Sequence, residues 1–177
     1  MKLLCFGDSN TYGYDPRSYF GGRYPASQRW PELLAAQTGW QVANGGENGR
    51  CIPRSAALPA GFDRVVIMLG TNDLLQGASP EAAAARMEVF LQGLGLPPAS
   101  LLLIAPPPLQ PGAWVEEESL PAASRRLAVL YKELAARLGI PFANAGAWGV
   151  GLAFDGVHFT PQGHAAFAAG LMKELWR

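Results

Sequence analysis

The side chain most able to start a covalent reaction is Ser9, which follows an apolar run and stands in the short polar stretch GDSN at residues 7–10. A serine hydroxyl is a weak nucleophile until a base takes its proton, and an imidazole can accept that proton and return it. His158 is the candidate base, because Asp155 precedes it by three residues and can hold one tautomer of its ring. These residue types predict acyl transfer through a serine.

Acyl transfer also needs hydrogen-bond donors for the negative oxygen of the tetrahedral intermediate. Asn72, in the stretch GTND, can offer its side-chain amide, and Ser9 can offer its own backbone N–H. A third donor can come from the stretch NGGENGR at 44–50, where a residue without a side chain lets a substrate approach the backbone. The residues alone do not choose among Gly45, Gly46 and Gly49 for that role.

Apolar runs and amphipathic stretches alternate along the chain, and this alternation must position the polar residues. Strands are predicted at residues 2–6, 40–43, 63–69, 101–105 and 141–145. Helices are predicted at about 28–38 with Ser27 as N-cap, after Ser79, at 122–138 and at 160–177. The pattern predicts an α/β fold with a parallel sheet, helices on both faces and right-handed crossovers. Functional groups in such folds lie at the carboxyl ends of the strands, where the polar clusters of this chain are expected to meet.

Composition limits the remaining possibilities. The 177 residues are 49% hydrophobic, enough for a core that buries roughly 70% of the unfolded surface, and we expect residues 1–177 to form a single domain. Lys plus Arg and Asp plus Glu number 14 each, which argues against nucleic acid and membranes as partners. No membrane-spanning stretch or signal peptide is predicted. Cys5 and Cys51 are expected to be reduced thiols of a cytoplasmic protein, and two histidines without clustered cysteines predict no metal and no other cofactor.

With these stretches in order, the chain resembles the SGNH hydrolases, also called the GDSL esterase and lipase family. GDSN, NGGENG, GTND and DGVH are similar to the blocks that carry the family's Ser, Gly, Asn and His. The resemblance implies Ser9 as nucleophile, Asp155 and His158 as the rest of a triad, and Gly49 and Asn72 as oxyanion donors beside the backbone N–H of Ser9. It also implies a flavodoxin-like three-layer α/β/α sandwich with five parallel strands. The RW pair at 29–30 and the stretch IMLGTND look most like the small bacterial arylesterase and acyltransferase branch.

The residues and the resemblance together predict a serine esterase that hydrolyses small esters, with short acyl groups on aryl alcohols or sugars, through an acyl-enzyme. Transfer of the acyl group to an alcohol is an alternative that uses the same residues. A flavodoxin-like protein with GDSNTYG as a phosphate-binding loop and a non-catalytic carbohydrate-binding protein are alternatives from other classes. The expected partner is a small-molecule ester, and homo-oligomerisation is left open.

Several neighbours of these clusters have roles that the sequence leaves less defined. His164 is expected on the surface of the last helix rather than as a second base. Asp8 is expected to organise the turn around Ser9, and Asp73 to cap or hydrogen-bond locally. Four aromatic residues could either line a substrate pocket or only pack, and these are Tyr12, Tyr14, Trp148 and Phe154.

Overall fold

The computed structural model describes residues 1–55 and 58–175, and within them a five-stranded sheet forms the centre of the fold. Its strands are β1 (Lys2–Gly7), β2 (Gln41–Gly46), β3 (Arg64–Met68), β4 (Leu101–Ala105) and β5 (Phe142–Asn144). All pairs are parallel, in the order β2-β1-β3-β4-β5. The predicted parallel sheet is confirmed, and its order is that of flavodoxin-like folds.

Helices cover both faces of the sheet. They are α1 (Ser9–Tyr12), α2 (Trp30–Thr38), α3 (Thr71–Leu75), α4 (Pro80–Gly93), α5 (Ser119–Leu138) and α6 (Pro161–Leu175). Side chains of α4 and α5 form one core with the sheet, and side chains of α2 and α6 form the other. The three-layer α/β/α sandwich is therefore as predicted.

The strand β3 explains why the strands read as continuous apolar runs. Val65 and Ile67 belong to the core with α4 and α5, whereas Val66 and Met68 belong to the core with α2 and α6. Successive side chains of a strand point to opposite faces, so a sheet covered on both sides needs apolar residues at every position.

Two predicted helix caps have different outcomes. Ser27 does not cap a helix, because it lies in a short 3-10 turn, Ala26–Gln28, and α2 begins only at Trp30. Ser79 caps α4 as predicted, and its hydroxyl accepts a hydrogen bond of 3.1 Å from the backbone N–H of Ala82.

Other boundaries also differ from the prediction. The strand β2 continues through Gly45 and Gly46, which pair with β1 although their composition is typical of a turn. The single-turn helix α1 and the short helix α3 were not predicted, since so few residues show no periodic pattern. The helix predicted at 160–177 is α6, and the last two residues of that range lie outside the described residues.

Among the helices of the described residues, none combines the length and the apolar composition that a membrane span needs.

His164 is fully buried and does not lie on the helix surface, so that prediction was wrong. Its ring centroid lies 5.6 Å from that of Tyr24 and 5.3 Å from that of Phe159, and its Nδ1 accepts a long hydrogen bond of 3.4 Å from the backbone N–H of Trp30. Burial, together with the nearby charges of Arg29 and the other histidine, lowers the pKa of His164 to about 3. The neutral ring belongs to the buried stripe that also carries residues 167, 168 and 171, at helical spacing.

We expect His164 to make the protein less stable as the pH falls. Its folded-state pKa of about 3 lies below the value of about 6.5 for an unfolded histidine, so between these pH values the unfolded chain binds the extra proton. The neutral His164 ring contributes fully to the free energy of unfolding above about pH 6.5. This contribution is lost towards about pH 3, by up to about 1.4 kcal/mol per pH unit.

Urea unfolding of the wild type and of His164→Phe, which keeps an aromatic ring in the core, measures this contribution. The wild-type free energy of unfolding minus that of the variant should decrease between about pH 7 and about pH 4, since other titrating groups cancel in the difference. A difference that does not change with pH would contradict the assignment.

Candidate active site

Ser9 stands at the start of α1, a single helical turn at the carboxyl end of β1. Asp8 caps this turn, and its Oδ1 accepts a hydrogen bond of 3.0 Å from the backbone N–H of Asn10. Gly13 closes the turn with a φ of 89°, which glycine adopts without strain. The prediction that Asp8 organises the turn around Ser9 is confirmed.

Two glycines let α1 lie directly against the sheet. A Cβ on Gly46 would overlap the backbone of α1 at Tyr12, and a Cβ on Gly7 would overlap the side chain of Thr11. Backbone atoms of a helical turn cannot move aside as a flexible side chain can. A larger residue at position 46 would therefore displace the turn that carries Ser9.

Ser9, His158 and Asp155 form a chain of side-chain hydrogen bonds. The Oγ of Ser9 lies 2.9 Å from Nε2 of His158, and Nδ1 of His158 lies 2.7 Å from Oδ2 of Asp155. The exposed fractions of the three residues are 5%, 3% and 0% in that order. With the ring proton on Nδ1 facing the carboxylate, Nε2 is left to accept the proton of Ser9.

The carboxylate of Asp155 is surrounded by hydrogen-bond donors. Its Oδ1 accepts from the backbone N–H groups of Val157 and His158, both at 2.9 Å, while Oδ2 faces the His158 ring. Burial alone would raise the pKa of Asp155, but the hydrogen bonds from His158 and Val157 outweigh burial and lower it. The carboxylate is thus ionised at neutral pH.

The turn that carries Asp155 and His158 is held from outside by the loop between β4 and α5. The backbone N–H of Gln110 donates to the carbonyl of Gly156 at 3.1 Å, and that of Trp114 donates to the carbonyl of Asp155 at 3.0 Å. This loop therefore supports the histidine turn and brings Trp114 next to it.

Asn72 lies in the first turn of α3 and reaches the loop after β2. Its Nδ2 donates a hydrogen bond of 3.1 Å to the carbonyl of Arg50. Asp73 fixes the same loop, since its Oδ2 accepts from the backbone N–H of Ile52 at 3.0 Å and its Oδ1 pairs with Arg86 at 3.0 Å. The prediction of a local role for Asp73 was wrong, because its buried carboxylate bonds to residues 21 and 13 positions away.

Gly49 lies in the loop that Arg50 ties to the sheet. The guanidinium of Arg50 donates to the carbonyls of Gly7 and Gly45 and lies 4.3 Å from the ring centroid of Phe6. Gly49 is exposed with a φ of 73°, and a Cβ there would meet no heavy atom within 4 Å. Glycine is favoured at this position by its backbone conformation and not by crowding, whereas the other two glycines of the stretch belong to β2.

Asp8 has a second carboxylate oxygen, Oδ2, that is buried and for which the described part of the chain supplies no hydrogen-bond partner. Burial raises the pKa of Asp8 to about 6, against the opposing effects of the Asn10 N–H and the charges of His158 and Arg50. This carboxyl group occupies the N-terminus of α1, where a phosphate would have to bind. The arrangement argues against GDSNTYG as a phosphate-binding loop.

The four aromatic residues that flank the clusters do not act alike. Tyr14 lies beside His158, with 4.5 Å between ring centroids, whereas Trp148 packs against Phe167 in the core. Phe154 is largely exposed, and the ring of Tyr12 lies under the guanidinium of Arg23.

The sequence analysis missed Trp114, whose half-exposed ring lies 5.0 Å from that of His158. Its position in the loop after β4, at the carboxyl edge of the sheet, was the available signal.

Two cavities in the described part of the chain lie away from the residues of this site. A cavity of about 580 Å³ is lined by residues of α5, β5 and the following turn, and another of about 420 Å³ by residues near the start of β2. Neither is lined by Ser9, Asn72, Asp155 or His158. Among the residues that the structure describes, no three His, Cys, Asp or Glu side chains are grouped as metal ligands would be.

Comparison with known proteins places this geometry in a family. A proposed arylesterase from Agrobacterium tumefaciens is 31% identical, with 99% of this chain and 98% of that chain covered and a TM-score of 0.82. An aryl esterase from M. smegmatis and a carbohydrate acetylesterase from Sinorhizobium meliloti are each 28% identical over 99% of this chain and 98% of theirs, with TM-scores of 0.83 and 0.81. No curated protein matches the sequence.

The sequence also matches a family model directly. The model, described as the GDSL-like lipase/acylhydrolase family, matches residues 5–166, which include each of the four polar clusters. The chain therefore belongs to the GDSL-like lipase/acylhydrolase family, whose members are also called SGNH hydrolases, and it is a carboxylic ester hydrolase.

Proposed function

We propose that the protein hydrolyses small carboxylic esters through an acyl-enzyme formed on Ser9, with His158 as general base and acid and Asp155 as its partner. The observation that carries the proposal is the buried chain of hydrogen bonds from Ser9 Oγ to His158 and on to Asp155, of 2.9 and 2.7 Å. Both distances are within the range for proton transfer from the serine hydroxyl to an oriented imidazole.

In the first half of the proposed reaction, Ser9 Oγ attacks the ester carbonyl carbon while its proton moves to Nε2 of His158. Asp155 stabilises the imidazolium ion through Nδ1–H. The tetrahedral intermediate then collapses, the bond to the alcohol oxygen breaks, and His158 returns its proton to the leaving alcohol. In the second half, water attacks the acyl carbon and gives a proton to His158. The bond between the acyl carbon and Ser9 Oγ then breaks, His158 passes that proton to Ser9 Oγ, and the acid leaves.

The oxyanion donors that we propose are the backbone N–H groups of Ser9 and Gly49 and the side-chain amide of Asn72. Ser9 is in the first turn of α1, where backbone N–H groups have no acceptor within the helix. One N–H of the Asn72 amide bonds to the carbonyl of Arg50, which fixes the plane of the amide and leaves its second N–H as a donor. The exposed backbone of Gly49 supports its assignment.

The substrate class that we propose is an ester of a short acyl group with an aryl alcohol or a sugar. The named activities of the relatives, aryl esterase and carbohydrate acetylesterase, support this class. Only 5% of Ser9 is exposed, which favours a small acyl group. The rings of Tyr14 and Trp114 flank His158, where the leaving alcohol must receive its proton, and aromatic faces suit both aryl rings and the apolar faces of sugars.

A serine-directed fluorophosphonate should label the wild type once per chain, and peptide mapping should find the label on Ser9. The reagent reacts with a serine hydroxyl that a neighbouring base activates, so Ser9→Ala should take up no label and should not hydrolyse p-nitrophenyl acetate. The exposed Ser27→Ala serves as the control and should react like the wild type. Label on another serine, or an active Ser9→Ala variant, would refute the nucleophile.

Asn72→Ala should lower kcat far more than it raises KM. A donor to the oxyanion acts mainly in the transition state, and loss of one such donor costs on the order of 10² to 10³ in kcat. Steady-state kinetics on p-nitrophenyl acetate and thermal melting of the same samples separate this role from a structural one. A variant that melts earlier but keeps a kcat within a few-fold of the wild type would make Asn72 a structural residue.

A further inference from the structure

The side chain of Asn10, next to Ser9, bonds to the backbone on both sides of His158. Its Nδ2 donates to the carbonyl of Val157 at 3.1 Å, and its Oδ1 accepts from the backbone N–H of Phe159 at 2.9 Å. Asn10 is 4% exposed, so water does not compete freely for these two bonds. One planar amide therefore holds the residues before and after His158 at once.

The chemistry of these partners explains the residue type at position 10. A carbonyl can only accept and an N–H can only donate, so the group between them must do both, and this also fixes which end of the amide is which. Leucine or alanine can do neither, and an ionised aspartate cannot donate to Val157. An unpaired N–H and an unpaired carbonyl buried beside His158 would each be costly, so the turn would shift if the amide were lost.

The backbone of Asn10 is anchored independently of its side chain. Its N–H donates to Asp8 at 3.0 Å, and its carbonyl accepts a hydrogen bond of 3.1 Å from the indole of the fully buried Trp30. A change of the side chain at position 10 should thus leave α1 in place. Its effect should appear in the turn that carries His158.

Other bonds that hold this turn come from residues outside α1, among them the backbone N–H of Ala153, which donates to the carbonyl of His158 at 2.7 Å. Asp155 accepts from Val157 and His158 within the turn itself, and the loop with Trp114 bonds to Asp155 and Gly156. These contacts fix the carboxylate relative to the ring, but they do not connect the ring to Ser9. The two bonds of Asn10 do, because Asn10 and Ser9 belong to the same helical turn.

We propose that Asn10 is a positioning residue of the reaction, which sets the distance between Ser9 and His158 by holding the backbone of residues 157 and 159. This inference rests on the proposed function, in which His158 takes the proton of Ser9. Asn10 makes no contact with the substrate in this account, so it should affect the rate of the chemical step and not substrate binding.

The test compares Asn10→Leu and Asn10→Ala with a matched control, Thr38→Val, in p-nitrophenyl acetate hydrolysis well below the melting temperatures. Thr38 also makes one donated and one accepted bond to the backbone, at 2.7 and 3.2 Å, but at the opposite end of the sheet. Both Asn10 variants should lower kcat by about 10²-fold with KM within about two-fold of the wild type, as expected for a misplaced catalytic group. Thr38→Val should lose stability while its kcat stays within about two-fold of the wild type.

A double-mutant cycle shows whether Asn10 acts through the histidine. In the His158→Ala background, Asn10→Leu should reduce the residual activity by less than about two-fold, because residues that act as a unit are not additive. An equal loss in both backgrounds, or an effect mainly on KM, would overturn the proposal. So would a kcat of Asn10→Ala close to that of the wild type, which answers the question even if Asn10→Leu does not fold.

Ser9→Ala and His158→Ala distinguish this failure from a failure of the proposed function. If both lose most of their activity while the Asn10 variants turn over normally, only the positioning role is wrong. If Ser9→Ala or His158→Ala turns over like the wild type, the proposed function itself is wrong, and the role of Asn10 is overturned with it.

Discussion

The buried carboxylate of Asp155 is the constraint on which the candidate site depends. A charge with no exposed surface is stable in a protein only when donors surround it, and Asp155 receives three hydrogen bonds, two from the backbone of its own turn and one from His158. These bonds close the turn and hold Nδ1 of the imidazole against the carboxylate, so that Nε2 faces the other way. The parallel sheet then places Ser9 at Nε2, the other ring nitrogen, because β1 ends at the carboxyl edge of the sheet beside the histidine turn.

The same edge concentrates polar groups that an ordinary core would exclude. Asp8, Asn10 and Thr11 are all buried around Ser9, and one oxygen of Asp8 and the hydroxyl of Thr11 lack a partner within the described residues. Gly7 and Gly46 keep α1 close against the strands, because a Cβ at either position would overlap atoms of α1. Stability is given up locally in order to hold the serine turn rigidly, a feature common at functional sites.

The sequence could predict the fold and the group of Ser9, His158 and Asp155 that the structure brings together, but not how these residues are held. Long apolar runs, glycines and helix caps indicate the parallel sheet, and the order of the four polar clusters indicates which residues meet. The contacts of Asn10 and Asp73 could not be predicted in this way, because a polar side chain that bonds to distant residues gives no periodic signal. His164 does share a helical spacing with the apolar residues 167, 168 and 171, and its polar residue type outweighed that signal in the prediction. The prediction of Ser27 as N-cap was wrong because a short 3-10 turn precedes α2, whose N-cap position is Arg29.

We propose that the loops after β1, β2 and β3 and the histidine turn form one site for acyl transfer. The most direct measurement is a crystal structure of the enzyme after reaction with a small alkyl fluorophosphonate, whose tetrahedral phosphorus mimics the intermediate. We expect the phosphorus to be bonded to Ser9 Oγ. We also expect a phosphonyl oxygen about 2.7–3.1 Å from the backbone nitrogens of Ser9 and Gly49 and from Nδ2 of Asn72. A phosphonyl oxygen that points away from these donors, or an adduct on another residue, would contradict it.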